Sequence, residues 1–124
     1  VMEITNGAGV QVVYDSVGEQ TFDKSLKCLA SRGLLVLFGQ SSGMVSPKLP
    51  NALAVGSYFL TRPRLDDYVR NRSDLLWRAG EVFSWIKSGN LKVRIGQSYS
   101  LAEAAKAHED LEGRKTTGKA LLTP

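Results

Sequence analysis

Residues 10–18 read VQVVYDSVG and residues 34–43 read LLVLFGQSSG, and these two stretches decide the fold. Each begins as a short run of branched and aromatic residues and ends in a turn of glycine and serine. The second run contains no polar residue before its glycine, as expected of a strand buried on both faces of a parallel sheet. A helix-length stretch separates the two runs. This order predicts a βαβ unit and an α/β fold.

The stretch between the two runs has the period of an amphipathic helix. Phe22, Leu26 and Leu29 fall at positions i, i+4 and i+7, which places them on one face. We predict a helix over residues 20–31 with this face against the sheet, and we expect Gly33 to stop it.

A third strand and a second helical region follow. Glycine, serine and proline dominate residues 39–51 and predict a loop there. Residues 56–61 predict a strand that ends before a proline, since proline lacks the amide hydrogen that pairing needs. Apolar residues then keep largely to a helical spacing over residues 65–88, with Ser73 or Asp74 as the predicted cap where the helix restarts.

The pattern of the chain changes after Gly89. Residues 93–99 alternate polar and apolar side chains, as in a strand that is exposed on one face. Ser100 and Glu103 form a capping-box pattern that predicts a helix start, and residues 119–122 predict a last short strand. We expect this segment to belong to a different sheet.

Composition narrows the range of functions. The chain has 124 residues, 43% of them hydrophobic, which is enough to build a core. Its net charge of +4 comes from lysine and arginine scattered among acidic residues, so nucleic-acid binding is not expected. No apolar run is long enough to cross a membrane, and we expect a cytoplasmic protein that does not bind membranes.

Several common site motifs are missing. The sequence has no G-x-G-x-x-G and no G-x-x-x-x-G-K-[ST], the glycine-rich turns that hold phosphates at a helix N-terminus. We expect its one cysteine, Cys28, to be a buried thiol, and its one histidine, His108, to lie on the apolar face of a helix in a structural hydrogen bond. These residues predict neither a metal site nor a Ser/His/Asp triad.

Asp15 ends the first predicted strand and allows two interpretations. It could be the carboxylate that binds an adenosine ribose, but in dinucleotide-binding domains that residue lies about 20 residues after a glycine-rich turn. No such glycines precede Asp15. We therefore favour a structural role, in which the carboxylate accepts backbone amides of the following turn.

Several short segments, taken in order, resemble a known family. They are V-V-Y-D-S-V-G at 12–18, R-G-L at 32–34, F-G-Q-S-S-G at 38–43, L-T-R-P at 60–63, A-H-E at 107–109 and T-G-K at 117–119. Together they closely resemble the carboxyl half of NADPH-dependent quinone oxidoreductases, the zinc-free branch of the medium-chain dehydrogenase/reductase superfamily. The resemblance covers essentially the whole chain.

The resemblance implies a domain organisation. In the family, a Rossmann domain of six parallel strands is inserted into a GroES-like catalytic domain. Residues 1–89 would form the second half of the Rossmann domain, as a partial doubly wound parallel sheet. Residues 90–124 would return to the catalytic domain. The pyrophosphate-binding glycines would lie upstream of residue 1.

The resemblance also implies an NADPH site at the ends of the first three strands and after the last helix. The residues that would flank the adenosine side are Ser16, Val17 and Gly18. The residues that would line the nicotinamide side are Phe38, Gly39, Ser41, Ser42, Phe59, Leu60 and Thr61. Arg114 would also contact the cofactor. No catalytic residue and no metal ligand is predicted in this chain.

The implied reaction is hydride transfer from NADPH to a quinone or an activated alkene such as an enone. In the family, the strand that matches residues 57–60 lies at the sheet edge and pairs with its counterpart in a homodimer, as an exposed apolar edge favours. The alternative is a non-catalytic α/β module that binds a nucleotide or a protein partner through the same strand ends.

Overall fold

The computed structural model describes all residues of the chain, in two units with separate sheets. The units are Val1–Arg70 and Asn71–Pro124. The first carries a three-stranded sheet and the second a two-stranded sheet, and every strand pair is parallel. The predicted parallel α/β fold and the separate second sheet are confirmed. The predicted domain boundary between residues 89 and 90 stays a prediction.

Strands and short helices alternate in the first unit. Its elements are, in order, strand β1 (Val10–Asp15), helix α1 (Phe22–Lys27), strand β2 (Leu29–Leu37), helix α2 (Asn51–Ala54), strand β3 (Phe59–Thr61) and helix α3 (Leu65–Tyr68). The sheet has the order β1-β2-β3, with β2 in the centre. Because the strands are parallel, their carboxyl ends meet at one edge of the sheet.

The core of the first unit lies between α1 and the central strand. Leu35 is fully buried, and Phe22, Leu26, Leu29 and Leu37 belong to the same cluster. The three residues predicted on the apolar helix face are therefore buried as expected. Each such side chain contributes about 1.5–3 kcal/mol when it leaves water, so this cluster holds α1 against the sheet.

Helix α1 is shorter than predicted, because the chain re-enters the sheet early. The helix ends at Lys27, and Leu29 already pairs with Val10 of β1. A β-carbon on Gly9 would lie 2.7 Å from the amide nitrogen of Ala30, so glycine allows the two backbones to approach here. The predicted extension of the helix to residue 31 is wrong.

Gly33 lies inside β2 and does not stop a helix. The pairing of β2 with β1 slips at this point, so that residues 30–33 face only Gln11. Arg32 takes a left-handed conformation with φ of 62°, and its amide donates to the carbonyl of Gly56 at 2.7 Å. Gly33 is thus part of a bulge in a strand, where a β-carbon would lie 2.8 Å from the carbonyl oxygen of Ala30.

The start of the third strand and the cap of the helix after it also differ from the prediction. β3 starts later than expected because Ser57 has a left-handed φ of 52° in the turn after α2. The second helical region stops and restarts as predicted, as α3 and helix α4 (Arg72–Lys87). The side chain of Asn71 accepts the amide of Asp74 at 2.8 Å, so Asn71, and not Ser73 or Asp74, is the cap at which the helix restarts.

The second unit contains α4, a pair of strands and one further helix. After α4 come strand β4 (Ile95–Ser100), a 3-10 turn (Leu101–Glu103), helix α5 (Ala104–Glu112) and strand β5 (Lys119–Thr123). The predicted capping box is confirmed, since the amide of Ser100 donates to the carboxylate of Glu103 at 3.1 Å. No helix of the structure has both the length and the apolar character needed to span a bilayer.

His108 does not take its predicted position. Ala107 and Asp110 are the buried residues of α5, whereas His108 is exposed. Tyr99 of β4 donates a hydrogen bond to the Asp110 carboxylate, which allows this polar residue to lie on the buried face, and Lys106 of α5 itself also donates to it. Cys28 follows α1 as its C-cap and is half-buried, not fully buried as expected.

Candidate functional site

Asp15 organises the carboxyl end of β1. Its side chain is 4% exposed and accepts the amides of Val17 and Gly18 at 2.8 and 3.1 Å. The hydroxyls of Thr21 and Ser25, at the start of α1, donate to the same carboxylate at 2.8 Å each. The predicted structural role of Asp15 is therefore confirmed.

The hydrogen bonds to Asp15 keep it ionised despite its burial. Burial alone would raise the pKa of this carboxyl group, because a low dielectric disfavours the charged form. The donors on Ser25, Gly18, Thr21 and Val17 outweigh burial and hold the pKa below its ordinary value of 3.8. The charge therefore ties the turn after β1 to the first turn of α1 at neutral pH.

The turn after β1 and the loop after β2 are bound directly to each other. The amide of Phe38 donates to the carbonyl of Asp15 at 2.9 Å, and the amide of Ser42 donates to that of Val17 at 2.8 Å. The Ser42 hydroxyl also donates to the Val17 carbonyl, at 2.7 Å, and accepts the amide of Gln20 at 3.1 Å. We call residues 15–20 and 38–43 the loop pair.

Gly18 and Gly39 allow the two segments of the loop pair to approach this closely. A β-carbon on Gly39 would lie 2.3 Å from the carbonyl oxygen of Ser16, and one on Gly18 would lie 2.7 Å from that of Gly43. Gly18 also has a φ of +91°, which other residues rarely adopt. Both glycines therefore have a packing role within the protein, whether or not a ligand lies beside them.

Ser16 and Ser41 differ from Ser42 in their surroundings. The side chains of Ser16 and Ser41 are exposed at the edge of the sheet, and Phe38 beside them is about half-exposed. The Ser42 hydroxyl is already bonded within the loop pair. Of the three serines, only Ser16 and Ser41 present their hydroxyls to a ligand at this edge.

Two carboxylates near the start of α1 hold the far part of the loop after β2. Glu19 accepts the amide and the hydroxyl of Ser46 at 2.6 and 2.8 Å, and these bonds lower the pKa of Glu19. Lys48 pairs with Asp23 at 2.9 Å. The loop is therefore fixed along its length by contacts with the protein itself.

An open cleft of about 460 Å³ lies beside the loop pair. Its lining is apolar and aromatic, and consists of Tyr14, Val36, Phe38, Pro63, Leu65 and Tyr68, with Arg64 as the charged member. The rings of Tyr14 and Phe38 meet edge to face, with centroids 6.5 Å apart. This volume lies in the range of small-molecule sites.

Strand β3, whose residues were also predicted to line the nicotinamide side, lies next to β2. Thr61 pairs with Val36 and is half-buried, while Phe59 and Leu60 are exposed. Arg114 belongs to the second unit, where it follows α5 with a left-handed φ of 56°. Its contact with a cofactor stays a prediction.

The structure thus brings Thr61 and the predicted residues after β1 and β2 to one edge of the first unit, whereas Phe59 pairs with Leu34, further back along β2. Sequence reasoning missed Tyr14 and Tyr68, which line the cleft. Alternation along β1 could have pointed to Tyr14, because neighbours of the buried Asp15 must face the other side of the sheet. No comparable pattern marks Tyr68. No group of three or more His, Cys, Asp or Glu side chains could hold a metal ion.

Comparisons with known proteins extend these observations. A family model described as zinc-binding dehydrogenase matches residues 1–122. The quinone oxidoreductase of Pseudomonas aeruginosa is 45% identical over 125 residues, and a 2-haloacrylate reductase of Burkholderia is 43% identical over 126 residues. Both matches cover 100% of this chain, and the chain spans 38% of the length of each relative.

Solved structures match at the level of the fold as well. Escherichia coli quinone oxidoreductase complexed with NADPH is 48% identical, with a TM-score of 0.94 over 99% of this chain and 39% of that one. A mycobacterial protein complexed with NADPH is 51% identical, with a TM-score of 0.93 over 99% of this chain and 38% of that one. The parallel α/β architecture therefore matches the Rossmann-like part of such proteins.

Replacing Asp15 by asparagine should destabilise the chain in a pH-dependent way. The change removes the charge that four donors stabilise, and we expect a loss of about 2 kcal/mol or more at neutral pH. Because the folded-state pKa is lowered, this stabilisation is complete above the ordinary value of 3.8 and is lost as the pH falls through the folded-state value. Urea unfolding of both proteins between about pH 2.5 and 7 measures the difference.

The matched control for this experiment is Asp66→Asn, at an exposed carboxylate. It should unfold at nearly the same urea concentration as the wild type. A stability difference between Asp15→Asn and the wild type that stays constant down to the lowest pH would contradict the interpretation.

Replacing Gly39 by alanine should separate the loop pair. The new β-carbon would meet a backbone carbonyl oxygen at 2.3 Å, and we expect a cost of at least about 2 kcal/mol. Gly80→Ala is the control: this glycine lies within α4 with open space around it, and alanine there should stabilise the helix by about 0.5–1 kcal/mol. Equal urea midpoints for Gly39→Ala and the wild type would argue against the close contact.

Proposed function

This chain belongs to the zinc-binding dehydrogenase family, and from that membership we propose that it forms the nicotinamide-side wall of an NADPH site in an oxidoreductase. The proposed reaction is hydride transfer from NADPH to a quinone or another activated alkene. The names of the relatives, quinone oxidoreductase and 2-haloacrylate reductase, support this activity, and two similar structures are complexes with NADPH. These similarities do not favour a non-catalytic binding module.

The observation that carries the proposal is the loop pair at the carboxyl edge of β1 and β2. Its backbone is fixed by Asp15 and by direct bonds between its two segments. The side chains that it presents are the hydroxyls of Ser16 and Ser41 and the ring of Phe38. Hydroxyls suit a ribose and an aromatic ring suits the flat nicotinamide, so the residues present fit this cofactor.

The protein's own contribution would be orientation. NADPH, when bound, supplies the hydride. The rigid loop pair would limit the positions open to the cofactor, with Ser16, Val17 and Gly18 on its adenosine side. The backbone of Leu60 and Thr61 would bond the nicotinamide amide from the neighbouring strand. The role of Ser42 is indirect, because its hydroxyl holds the loop in place.

An activity assay with a matched pair of variants tests this proposal. The assay uses the protein encoded by the complete open reading frame that contains this chain, since the chain spans 38% of the length of its relative from Pseudomonas aeruginosa. We expect loss of NADPH absorbance with a panel of quinones and enones. Ser41→Phe should weaken NADPH binding about tenfold or more in a fluorescence titration, because the ring fills space at the proposed wall.

The control for the titration is Ser31→Phe, the same change at an exposed position in the bulge of β2. It should bind NADPH as the wild type does. A complete protein that oxidises NADPH with none of these acceptors would refute the activity, and equal binding by both variants would remove Ser41 from the site.

We further propose that β3 pairs with the same strand of a second copy to give a homodimer. The strand lies at one end of the β1-β2-β3 order, and Phe59 and Leu60 are exposed on it. An open apolar edge of this kind favours pairing with another strand. A cytoplasmic location and a lack of nucleic-acid or membrane binding stay predictions.

Introducing a charge at this edge should break the dimer. We expect Phe59→Lys to sediment as a monomer at micromolar concentration, because lysine on an edge strand opposes pairing. Leu49→Lys is the control, at a position 77% exposed in a loop, and should sediment as the wild type does. A Phe59→Lys protein that remains dimeric would place the interface elsewhere.

A further inference from the structure

We infer that Glu19 is a positioning residue of the proposed NADPH site, which holds the loop after β2 in its cofactor-binding form before the cofactor arrives. This inference rests on the proposed function, since it adds a residue to the same site. It assigns Glu19 no contact with the cofactor and no part in hydride transfer. The effect of Glu19 is on the affinity for NADPH.

Glu19 binds the loop at two points that lie three residues apart. Its amide donates to the carbonyl of Gly43 at 3.3 Å, and its carboxylate accepts the amide and the hydroxyl of Ser46 at 2.6 and 2.8 Å. Gly43 is the last residue of the loop pair, and Ser41 lies just before it. One residue ahead of α1 therefore fixes the loop directly beyond its proposed cofactor-binding part.

The stretch of loop from residue 44 to residue 48 depends on Glu19 for its backbone. No hydrogen bond between backbone groups involves residues 44–48, whereas the amide of Ser46 donates to the Glu19 carboxylate. The other anchors are side chains. Val45 packs against the core cluster, and Lys48 pairs with the partly exposed Asp23. An exposed ion pair of this kind contributes little, so the carboxylate of Glu19 is the principal polar anchor of this stretch.

The carboxylate of Glu19 is charged at neutral pH, and the charge strengthens both of its bonds to Ser46. The hydroxyl and the amide of Ser46 hold the pKa of Glu19 below its ordinary value of 4.5, and Lys48 acts in the same direction. Burial and the nearby charge of Asp23 act in the opposite direction and are outweighed. Hydrogen bonds to an ionised acceptor are stronger than those between neutral groups.

A loop that is already ordered binds a ligand more tightly than one that the ligand must order. A site that is competent for only a fraction of the time shows an affinity reduced by that fraction. Phe38 and Ser41 of the proposed nicotinamide wall lie on the same loop that Glu19 holds at Gly43 and Ser46. Loss of the Glu19 carboxylate should therefore weaken NADPH binding without removing a group that contacts the cofactor.

The variant that tests this inference is Glu19→Ala in the protein encoded by the complete open reading frame. Fluorescence titration should give a dissociation constant for NADPH about 3- to 10-fold above that of the wild type. The KM for NADPH should rise by a similar factor, while kcat at saturating NADPH changes less than about twofold, because bound cofactor orders the loop again. A variant that is merely unstable would instead lose kcat per mole of protein at an unchanged KM.

Variants of Ser46 and a distant glutamate provide the controls. Ser46→Thr keeps the hydroxyl and should bind NADPH as the wild type does, whereas Ser46→Ala should bind it more weakly. In the background of Glu19→Ala, Ser46→Ala should have no further effect, because its hydroxyl has already lost its acceptor. Glu81→Ala removes an exposed carboxylate of α4 and should leave NADPH binding unchanged.

Hydrogen exchange of the protein without cofactor measures the order of the loop directly. Amide exchange at Ser46 should be faster in Glu19→Ala than in the wild type, and saturating NADPH should reduce the difference. Unchanged exchange at Ser46, or equal NADPH dissociation constants for Glu19→Ala and a wild type that binds NADPH, would overturn this inference and leave the proposed function standing. A wild type that binds no NADPH would refute the proposed function, and this inference with it.

Discussion

The buried charge of Asp15 is the interaction on which the edge of the first unit depends. A carboxylate that is 4% exposed stays ionised only if donors surround it, and here the donors come from two different segments. Two are amides of the turn after β1, and two are hydroxyls at the start of α1. The loop after β2 then bonds to the carbonyls of that turn. Three segments thus take their positions from one charge.

Much of the first unit could be predicted because its pattern is local. The apolar runs predicted strands β1 and β2, and the spacing of Phe22, Leu26 and Leu29 predicted the buried face of α1. The end of that helix could not be predicted in the same way. It is set by the close approach of Gly9 to Ala30, a contact between segments that no periodicity within the helix records.

The restart of α4 shows a different limit. Asn71, Ser73 and Asp74 are all good capping residues, and the sequence offers no means of choosing among them. For His108, the spacing of apolar residues suggested the wrong face of α5. A charged residue, Asp110, is buried there instead because Tyr99 satisfies it with a hydrogen bond. Whether a polar residue of a helix is buried therefore depends on hydrogen-bond partners from other elements, which the helix's own sequence does not show.

The candidate site was predictable as a place, but the roles of its residues were less so. Parallel strands bring their carboxyl ends together, which located the edge. From the sequence, Ser41 and Ser42 were predicted to have the same role. In the structure, Ser41 is exposed, whereas the Ser42 hydroxyl is bonded within the loop pair. Tyr68 lines the cleft because α3 folds beside the sheet, and no local sequence pattern predicts that packing. Contacts between distant segments supplied this distinction.

The bonding pattern of the loop pair has a consequence for how such a surface can diverge. The two segments are held largely through backbone amides and carbonyls, two glycines and the inward-facing Asp15 and Ser42. The side chains at the outward positions, such as Ser16 and Ser41, contribute almost nothing to these bonds. Substitutions there can accumulate without unfolding the edge. The chemistry that the surface offers to a ligand can therefore evolve while its shape is conserved.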